Sequence, residues 1–240
     1  MQVGGSDQWG NIVSGLDLNR RQNKAQCFAL TVPLITKADG TKFGKTEAGA
    51  VWLDAGKTSP YSFYQFWLSV ADADVYKFLH YFTFIATTEI AAIEATDAAA
   101  EGRPQGQAIL ASEATRLVHG EAGLKAALRI TEALFSGDSN ALSEQDFQQL
   151  RQDGLPSSLL ADEDVLESPL TNLLTECGMA KAGREVKDAL GRNSVFVNGQ
   201  PKGAEDIMNS AAIFAPEQAL YGRFFLVRLG KKKYHIFERV

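Results

Sequence analysis

Two lysines, Lys42 and Lys45, lie three residues apart in a segment that reads GTKFGKT over residues 40–46. This segment is not a phosphate-binding P-loop, which has four residues between its glycines before Gly-Lys-Thr, whereas here there are three. Lysine is nonetheless a compact positive charge suited to phosphate, and a mobile loop can bring two such charges to a nucleotide as pyrophosphate leaves. The spacing therefore predicts either a nucleotide phosphate site or an exposed basic hairpin.

A second group of polar residues reads GGSDQWGN over residues 4–11. A glycine pair just before a helix N-terminus lets the backbone approach a ligand closely. The carboxylate of Asp7 can accept hydrogen bonds from ribose hydroxyls, and the amide of Gln8 can donate to a carbonyl or carboxylate oxygen. An aspartate that only caps an ordinary helix explains the same pattern equally well, so this group alone leaves both interpretations open.

Charged residues are unevenly distributed along the chain. Residues 1–167 contain 13 Lys and Arg against 22 Asp and Glu, whereas residues 168–240 contain 11 against 7, which makes the C-terminal part basic. A basic part favours an anionic partner such as nucleic acid, although a plain solvated surface gives the same balance. Between the two, residues 153–167 contain five acidic residues and no basic one, which predicts a linker.

The remaining composition excludes several classes of protein. The two cysteines and three histidines have spacings that fit neither a zinc site nor a disulfide framework, so we expect no metal site and a reducing, cytoplasmic location. No run of 18 uncharged apolar residues is present, and the N-terminus lacks the pattern of a secretory signal, so we expect no membrane partner.

The elements that must position the two polar groups form an α/β pattern. Ser6 and Asp7 precede apolar residues at helical spacing, which predicts a helix to about Arg21 with Trp9, Ile12, Val13 and Leu16 on its buried face. The run from Phe28 to Ile35 predicts a buried strand, followed by a turn at Asp39-Gly40. A parallel sheet needs cover on both faces, so we expect this piece to begin in the middle of a domain.

The middle of the chain has a helical pattern. Ser59 and Pro60 are a cap and a first helical residue, and Asp72 or Asp74 is expected to cap the next helix. Three further helices are predicted over Glu89–Ala100, Gln105–His119 and Glu121–Phe135, with Gly120 between the last two. The aromatic residues between Tyr61 and Phe84 could stack on bases, but their helical spacing favours a core.

The last seventy or so residues predict a small α+β domain. Its predicted elements are helices over Leu170–Cys177 and Lys181–Gly191, a strand over Ser194–Asn198 with a turn at Asn198-Gly199, and strands over Phe224–Leu229 and Tyr234–Phe237.

The two polar groups, in this order and at this separation, resemble the bacterial-type tyrosyl-tRNA synthetases of class I. In that family GGSDQWGN closes the tyrosyl-adenylate pocket, and KFGKT is the local form of the KMSKS signature, from which this sequence departs at Phe43, Gly44 and Thr46. Tryptophanyl-tRNA synthetases share only a shorter Gly-x-Asp-Gln. The family also has an upstream Rossmann half with a His-Ile-Gly-His-type signature, which this sequence lacks, so the resemblance implies a C-terminal portion.

The resemblance implies a multidomain fold, α/β plus α+β. Its parts are a remnant of a Rossmann catalytic domain with the KMSKS-type loop at 1–47, an α-helical anticodon-region domain at 48–152, an acidic linker at 153–167 and a basic, alpha-L-type RNA-binding domain at 168–240. The implied activity is tyrosine–tRNA ligation, with the chain alone inactive. The implied partners are tyrosine, ATP with Mg²⁺ and tRNA(Tyr), in a homodimer, with no tightly bound cofactor.

Residue roles follow from the matching motifs. Lys42, Lys45 and Thr46 would stabilise the pyrophosphate as it leaves. The adenylate would be bound by Gly5, Asp7, Gln8, Gln2, Leu34, Ile35 and Lys45, with Asp7 on the ribose, Gln8 and Gln2 on the aminoacyl group and the backbone near Leu34 and Ile35 on the adenine. RNA phosphates would contact the basic residues of the C-terminal part, which are Lys181, Arg184, Lys187, Arg192, Lys202, Lys231, Lys232 and Lys233.

Two other functions fit the same residues. One is a non-catalytic RNA-binding protein derived from a synthetase, in which the catalytic motifs are relics. The other is a nucleotide-binding regulator that uses the lysine loop and does not bind RNA.

Overall fold

The computed structural model describes residues 1–41, 43, 45–46, 49–102, 104–161, 168–231 and 233–239. Its strands are β1 (Gln2–Gly5), β2 (Ala29–Val32), β3 (Lys45–Thr46), β4 (Gly49–Ala50), β5 (Ser157–Leu160), β6 (Val195–Val197), β7 (Gln200–Lys202), β8 (Phe224–Leu229) and β9 (Lys233–Arg239). Its helices are α1 (Trp9–Asn23), α2 (Pro60–Leu68), α3 (Asp72–Phe82), α4 (Thr87–Ala99), α5 (Gly106–Ser136), α6 (Glu144–Gln152), α7 (Leu170–Glu176), α8 (Gly183–Leu190) and α9 (Ser210–Ile213). In the described part of the chain, no helix is both long and apolar enough to cross a membrane.

The N-terminal part is a small α/β layer. Strands β1 and β2 pair in parallel, with Gly5 opposite Val32, and α1 follows β1 through a short 3-10 turn. Ile12 of α1 is buried against β1, because a Cβ atom built on Gly4 would lie 3.0 Å from its Cδ1. The predicted helix and strand are therefore confirmed.

The predicted burial of this layer is confirmed for Ile12 and is wrong for β2 and for Trp9. Leu30 and Val32 of β2 are each 48% exposed, and Trp9 of α1 is 54% exposed. One helix on a two-stranded sheet covers part of one face, whereas a parallel sheet needs cover on both. The layer therefore presents apolar side chains to solvent.

The helical part of the chain, which comprises α2 to α6, follows local sequence signals with one exception. Ser59 caps α2, because its Oγ accepts a hydrogen bond from the backbone N–H of Ser62 at 3.1 Å, and Pro60 is the first helical residue. The predicted capping of α3 by Asp72 or Asp74 is wrong, because Ala71 is the N-cap. Both aspartates instead lie in the first turn, where the helix dipole favours negative charge.

Helix α5 is interrupted where the sequence predicts a stop. Gly120 has φ 70° and ψ −179°, so the chain changes direction between two helical segments. The predicted core of aromatic residues is confirmed, since Phe63, Trp67 and Phe78 are buried in one cluster with the N-terminal half of α5. Phe84 is an exception and is 91% exposed.

The C-terminal part contains a five-stranded sheet with the order β5-β9-β8-β6-β7. Strand β5 is parallel to β9, and the other neighbours are antiparallel. The predicted turn between β6 and β7 is confirmed, because Asn198 and Gly199 both have positive φ, as a two-residue hairpin turn with the twist of its strands requires.

Part of the predicted acidic linker belongs to this sheet. Residues 157–160 of the predicted 153–167 linker form β5, because Ser157 pairs with Ile236 and the run ends at buried Leu160. Residues 162–167 lie outside the described part of the chain.

Both faces of the sheet are covered by helices. Phe225, Val227 and Phe237 pack with α7 and α8 on one face. Residues of α5 and α6 cover the other face, where Phe224 stacks on Phe147 with ring centroids 5.0 Å apart. The helical part and the C-terminal sheet therefore share a hydrophobic core.

Candidate nucleotide and RNA sites

Gly5, Asp7 and Leu34 converge where the two parallel strands end. A Cβ atom built on Gly5 would lie 2.7 Å from a carboxylate oxygen of Asp7 and 2.7 Å from Cδ2 of Leu34. Gly5 and its partner Val32 are the last residues of their strands, so the group lies at the carboxyl end of the sheet. Ligands of open α/β sheets bind outside this end. A side chain at position 5 would fill the space between Asp7 and Leu34.

The two candidate glutamines lie on the opposite face of β1 from Gly5. A Cβ atom built on Gly4 would lie 3.3 Å from Cβ of Gln8, whose Oε1 accepts a hydrogen bond from Nδ2 of Asn11 at 3.2 Å. Gln2 shares the Gly4 face, because alternate strand residues point the same way. The structure therefore groups Gln8 and Gln2 on the α1 side and does not bring Gln2 to the Gly5 group.

The segment that follows β2 is closed by hydrogen bonds of its own. The backbone N–H of Lys37 donates to the carbonyl of Thr41 at 2.8 Å. The carboxylate of Asp39 accepts from the hydroxyl of Thr41 at 2.6 Å and from its backbone N–H at 2.8 Å. These two bonds, the hydroxyl first, lower the pKa of Asp39. The predicted turn at Asp39-Gly40 is therefore present, with Gly40 at φ 80°.

Helix α3 and the aromatic cluster hold this segment from outside. Nζ of Lys77 donates to the carbonyl of Thr36 at 2.6 Å. The backbone N–H of Phe43 donates to the carbonyl of Ile35 at 3.1 Å. The Phe43 ring lies 4.4 Å, centroid to centroid, from the ring of Phe78. The chain is thus attached to the helical part at Phe43, one of the two residues between the candidate lysines.

The lysine motif itself is described in part. Lys42 and Gly44 lie outside the described residues. Lys45 and Thr46 form β3, which pairs with β4 through Lys45 opposite Ala50 and Thr46 opposite Gly49. Residues 45–46 and 49–50 are therefore two short antiparallel strands.

The candidate RNA-binding residues of α8 are exposed. Arg184 and Lys187 lie on the solvent side of a helix whose Val186 and Leu190 are buried. Lys181, just before the helix, is also exposed. Lys181, Arg184 and Lys187 are therefore all accessible to a large partner.

Lys233 is paired with this helix. Its Nζ donates to Oε1 of Glu185 at 2.9 Å and to the carbonyl of Met179 at 3.1 Å. Hydrogen bonding from Lys233, then from the backbone of Lys181, lowers the pKa of Glu185. The charge of Lys233 is therefore partly neutralised by Glu185.

The other candidate basic residues lie around the sheet. Lys202 is half-buried on the edge strand β7, in one row with Val195, Leu229 and Lys233. Two residues are exposed, Arg192 after α8 and Lys231 in the β8–β9 turn, while Lys232 lies outside the described residues. The predicted set is thus spread over one helix, one sheet edge and one turn.

The described residues contain no group of three or more His, Cys, Asp and Glu side chains that could hold a metal ion. The one buried histidine of the C-terminal sheet, His235, has Nε2 at 2.8 Å from Oγ of Ser158. Burial lowers the pKa of His235 to about 4. This pair joins β5 to β9.

Comparison with known proteins decides the family. A model of the class I tRNA synthetases for tryptophan and tyrosine matches residues 1–136, which include the Gly5 group, the lysine segment and most of the helical part. The chain belongs to this family. A second model, of the tyrosine–tRNA ligase SYY-like C-terminal domain, matches residues 146–237. That match begins in α6, in agreement with the core that α6 shares with the C-terminal sheet.

Relatives of this class I synthetase chain are named tyrosine–tRNA ligase. The protein from Aliivibrio fischeri strain MJ11 is 52% identical over 99% of this chain and 54% of its own length. Tyrosine–tRNA ligase 1 of Vibrio parahaemolyticus is 53% identical over 100% of this chain and 54% of its own length. The chain therefore spans about half the length of the curated relatives that it matches. A C-terminally truncated mitochondrial tyrosyl-tRNA synthetase of Aspergillus nidulans is 30% identical, with a TM-score of 0.45, over 56% of this chain and 39% of its own.

Two features of this synthetase chain were not singled out in the sequence. One is the attachment of Phe43, the central residue of the lysine motif, to the aromatic cluster. The other is a cleft where the end of α5 meets the sheet, which contains Phe135 and Arg228. Both depend on contacts between segments far apart in sequence, and no local pattern indicates them.

Proposed function

We propose that this chain supplies the adenylate-binding sheet end, the lysine loop and the tRNA-binding surface of a tyrosine–tRNA ligase. The observation that carries the proposal is the convergence of Gly5, Asp7 and Leu34 at the carboxyl end of the parallel strands, within residues that match the family model. The relatives named tyrosine–tRNA ligase support tyrosine as the amino acid.

In the proposed reaction, ATP and tyrosine form tyrosyl-adenylate and pyrophosphate, and the tyrosyl group then passes to the terminal ribose of tRNA(Tyr). ATP enters as its Mg²⁺ complex, so the metal belongs to the substrate. Asp7 accepts hydrogen bonds from the ribose hydroxyls, and the backbone near Leu34 and Ile35 contacts the adenine. Gln8 and Gln2 contact the aminoacyl group from the α1 face.

Lys42, Lys45 and Thr46 act on the leaving pyrophosphate. Negative charge accumulates there in the transition state, and positioned cations stabilise it without a covalent intermediate or a side-chain base. The Phe43 ring, held by the aromatic cluster, supports this role because it fixes the motif at a residue that lies between the two lysines. We propose a homodimer in the cytoplasm as the working form.

The test is tyrosine-dependent exchange between ATP and pyrophosphate. We expect no exchange with the chain alone, because two strands form only part of a nucleotide pocket, and exchange after addition of the separately expressed remaining part of the Aliivibrio fischeri enzyme. Exchange by the chain alone would show that the pocket needs no further strands. The absence of exchange in both samples would contradict the proposed catalytic role.

The lysine role is tested in the mixed sample. Lys45→Ala should slow exchange by at least about tenfold while the dissociation constant for tyrosine stays the same, because the lost contact forms in the transition state. Lys125→Ala, on the exposed side of α5, is the matched control and should have no effect. A tenfold weaker tyrosine affinity with a normal exchange rate would contradict the proposed role of Lys45.

A second candidate is an RNA-binding protein without catalysis. The C-terminal sheet favours it, since its two faces are covered and α8 presents basic residues, while the nucleotide-side sheet has two strands. Binding of tRNA(Tyr) without exchange in the mixed sample would favour this candidate over the ligase.

A further inference from the structure

A cleft of about 470 Å³ lies where the C-terminal end of α5 meets the sheet. Its volume is within the range of sites that bind small molecules. The residues that matter for its chemistry are Phe135 of α5, Phe196 of β6, Arg228 of β8 and Lys231 of the β8–β9 turn. Only Lys231 belongs to the basic set predicted from the sequence.

Phe135 is a large apolar side chain that the fold leaves in water. It is 86% exposed, although the residues before it, Ala133 and Leu134, are buried or half-buried in the shared core. Its position is fixed, because the carbonyl of Leu134 accepts a hydrogen bond from the hydroxyl of Tyr234 in β9. An exposed aromatic ring on a rigid backbone is a platform on which a nucleobase can stack.

Arg228 supplies a positioned charge beside this ring. Its guanidinium carbon lies 4.1 Å from the ring centroid of Phe196, which is its partner on the neighbouring strand. Its Nε is buried and has no hydrogen-bond partner among the described residues. On the other side, a Cβ atom built on Gly137 would lie 2.9 Å from Nη1, so the glycine leaves room for the guanidinium.

The charge of the cleft favours an anionic ligand. Its lining contains the two cations Arg228 and Lys231 and no carboxylate among the described residues. Phe196 and Arg228 project from the sheet face opposite the one that α8 covers, because Val195 and Val197 pack with α8. The cleft therefore lies on the face of the sheet opposite α8.

We propose that this cleft binds one unpaired nucleotide of RNA. The base stacks on Phe135, and its phosphate is held by Arg228 and Lys231. The inference rests on the proposed tRNA-binding function and adds to it a base-dependent contact that the phosphate contacts of α8 cannot provide, because phosphate contacts are independent of the base.

The test measures binding of two probes to the 240-residue chain by fluorescence anisotropy. One probe is an octamer of adenosine nucleotides, and the other is an abasic ribose-phosphate chain of the same length. We expect the chain to bind the octamer at least about fivefold more tightly than the abasic probe, since stacking on an aromatic ring contributes this much per base. Equal affinity for the two probes would overturn the inference and leave the cleft to a partner other than nucleic acid.

Variants assign the preference to the cleft. Phe135→Ala should abolish the difference between the probes, and Phe135→Tyr should keep it. Phe84→Ala removes another strongly exposed ring and should leave the difference unchanged. A preference that survives in Phe135→Ala, or that is lost in Phe84→Ala, would overturn the assignment.

A separate measurement distinguishes failure of this inference from failure of the proposed function. Binding of a tRNA(Tyr) transcript is measured with the wild-type chain and with Arg184→Ala. If Arg184→Ala weakens binding of the transcript while the octamer and the abasic probe bind equally well, the tRNA-binding function stands and only the cleft is rejected. The absence of transcript binding by the wild-type chain would reject both.

Discussion

The ring of Phe43 packs against the ring of Phe78, with centroids 4.4 Å apart and an angle of 52° between the planes. Phe43 belongs to the lysine motif, and Phe78 is a fully buried residue of α3. Phe66, Trp67 and Phe82 also lie within 5.5 Å of Phe43, centroid to centroid. The lysine motif is therefore anchored in the hydrophobic core of the helical part through Phe43.

Phe43→Ala should lower the free energy of unfolding by about 1–3 kcal/mol, less than for a fully buried phenylalanine because Phe43 is half-buried. The measurement is urea unfolding followed by far-UV circular dichroism. Phe84→Ala, which removes a ring that is 91% exposed, is the control and should change stability by less than about 0.5 kcal/mol. Equal effects of the two variants would mean that Phe43 does not anchor the loop in solution.

Elements with a local signal could be predicted from the sequence. The start of α2 follows from a serine and a proline, the break in α5 from one glycine, and β8 from an apolar run whose predicted bounds, Phe224–Leu229, are those of the structure. The resemblance in sequence named Gly5, Asp7 and Leu34, which the structure brings together, whereas their role in binding the adenylate stays a prediction.

Contacts between distant segments could not be predicted. The hydroxyl of Tyr234 reaches the carbonyl of Leu134, and Ser158 in the predicted linker reaches His235, because β9 is the central neighbour of β5 and β8. The pairing of Lys233 with Glu185 has the same origin. Sequence periodicity reports the face of an element that is buried and does not report what covers it.

Asp146→Asn should destabilise the protein by at least about 2 kcal/mol at pH 7. The side chain of Asp146 is fully buried and accepts two hydrogen bonds from Arg129, at 2.7 and 2.8 Å. Burial alone would raise the pKa of Asp146, but hydrogen bonds from Arg129 and then Ser143 outweigh it and lower the pKa below 3.8. Loss of the carboxylate leaves the guanidinium without its partner.

The same lowered pKa predicts a pH dependence. The carboxylate of Asp146 binds a proton less readily in the folded protein than in the unfolded chain. Its contribution to the free energy of unfolding is therefore present above about pH 4 and is lost as the pH falls through the folded-state pKa. Urea unfolding at pH 7 and pH 3 should show a smaller difference in the free energy of unfolding between the variant and the wild type at pH 3 than at pH 7. Glu144→Gln is the control, since its pair with Arg223 is exposed and 3.5 Å long, and its effect should stay below about 0.5 kcal/mol.

His235 should make stability fall as the solution is acidified from about pH 6.5 to about pH 4. Burial lowers the pKa of the folded-state imidazole from 6.5 to about 4, so in this range the unfolded chain binds the proton more readily. The free energy of unfolding should fall by about 1.4 kcal/mol per pH unit, and by about 3 kcal/mol in total. Above pH 6.5 the contribution of His235 to the free energy of unfolding is constant.

The measurement compares wild type with His235→Phe in urea at pH 7, 6, 5 and 4. The variant should lose this slope, because it has no titrating group at position 235. His119→Gln is a necessary comparison, since burial also lowers the pKa of His119. An unchanged slope in His235→Phe would mean that His235 is accessible to protons in the folded protein.

Gly137→Ala should destabilise the protein more than Gly154→Ala. Both glycines have similar positive φ angles, 84° and 82°, so the backbone cost of alanine, about 1 kcal/mol, is common to both. The new Cβ atom at position 137 would lie 2.9 Å from Nη1 of Arg228, whereas the space around Gly154 is open. The difference between the two free energies of unfolding therefore measures the displacement of Arg228 from Phe196, which we expect to cost about a further 1 kcal/mol. Equal losses would show that the guanidinium moves aside without cost.

Arg184→Ala should weaken binding of tRNA(Tyr) to the chain more than Lys233→Ala does. Both side chains are exposed, but Nζ of Lys233 is 2.9 Å from a carboxylate oxygen of Glu185, so this lysine would have to leave that partner to reach a phosphate. Each phosphate contact that is lost should lower the slope of log affinity against log salt concentration by about one. We therefore expect this slope to change by about one in Arg184→Ala and by less in Lys233→Ala. The measurement is fluorescence anisotropy at salt concentrations from about 50 to about 200 mM, where phosphate contacts strongly affect affinity. Glu185→Gln completes the comparison, because it should free Lys233 and strengthen binding. If Lys233→Ala changed the slope as much as Arg184→Ala, the pairing with Glu185 would not persist in the complex.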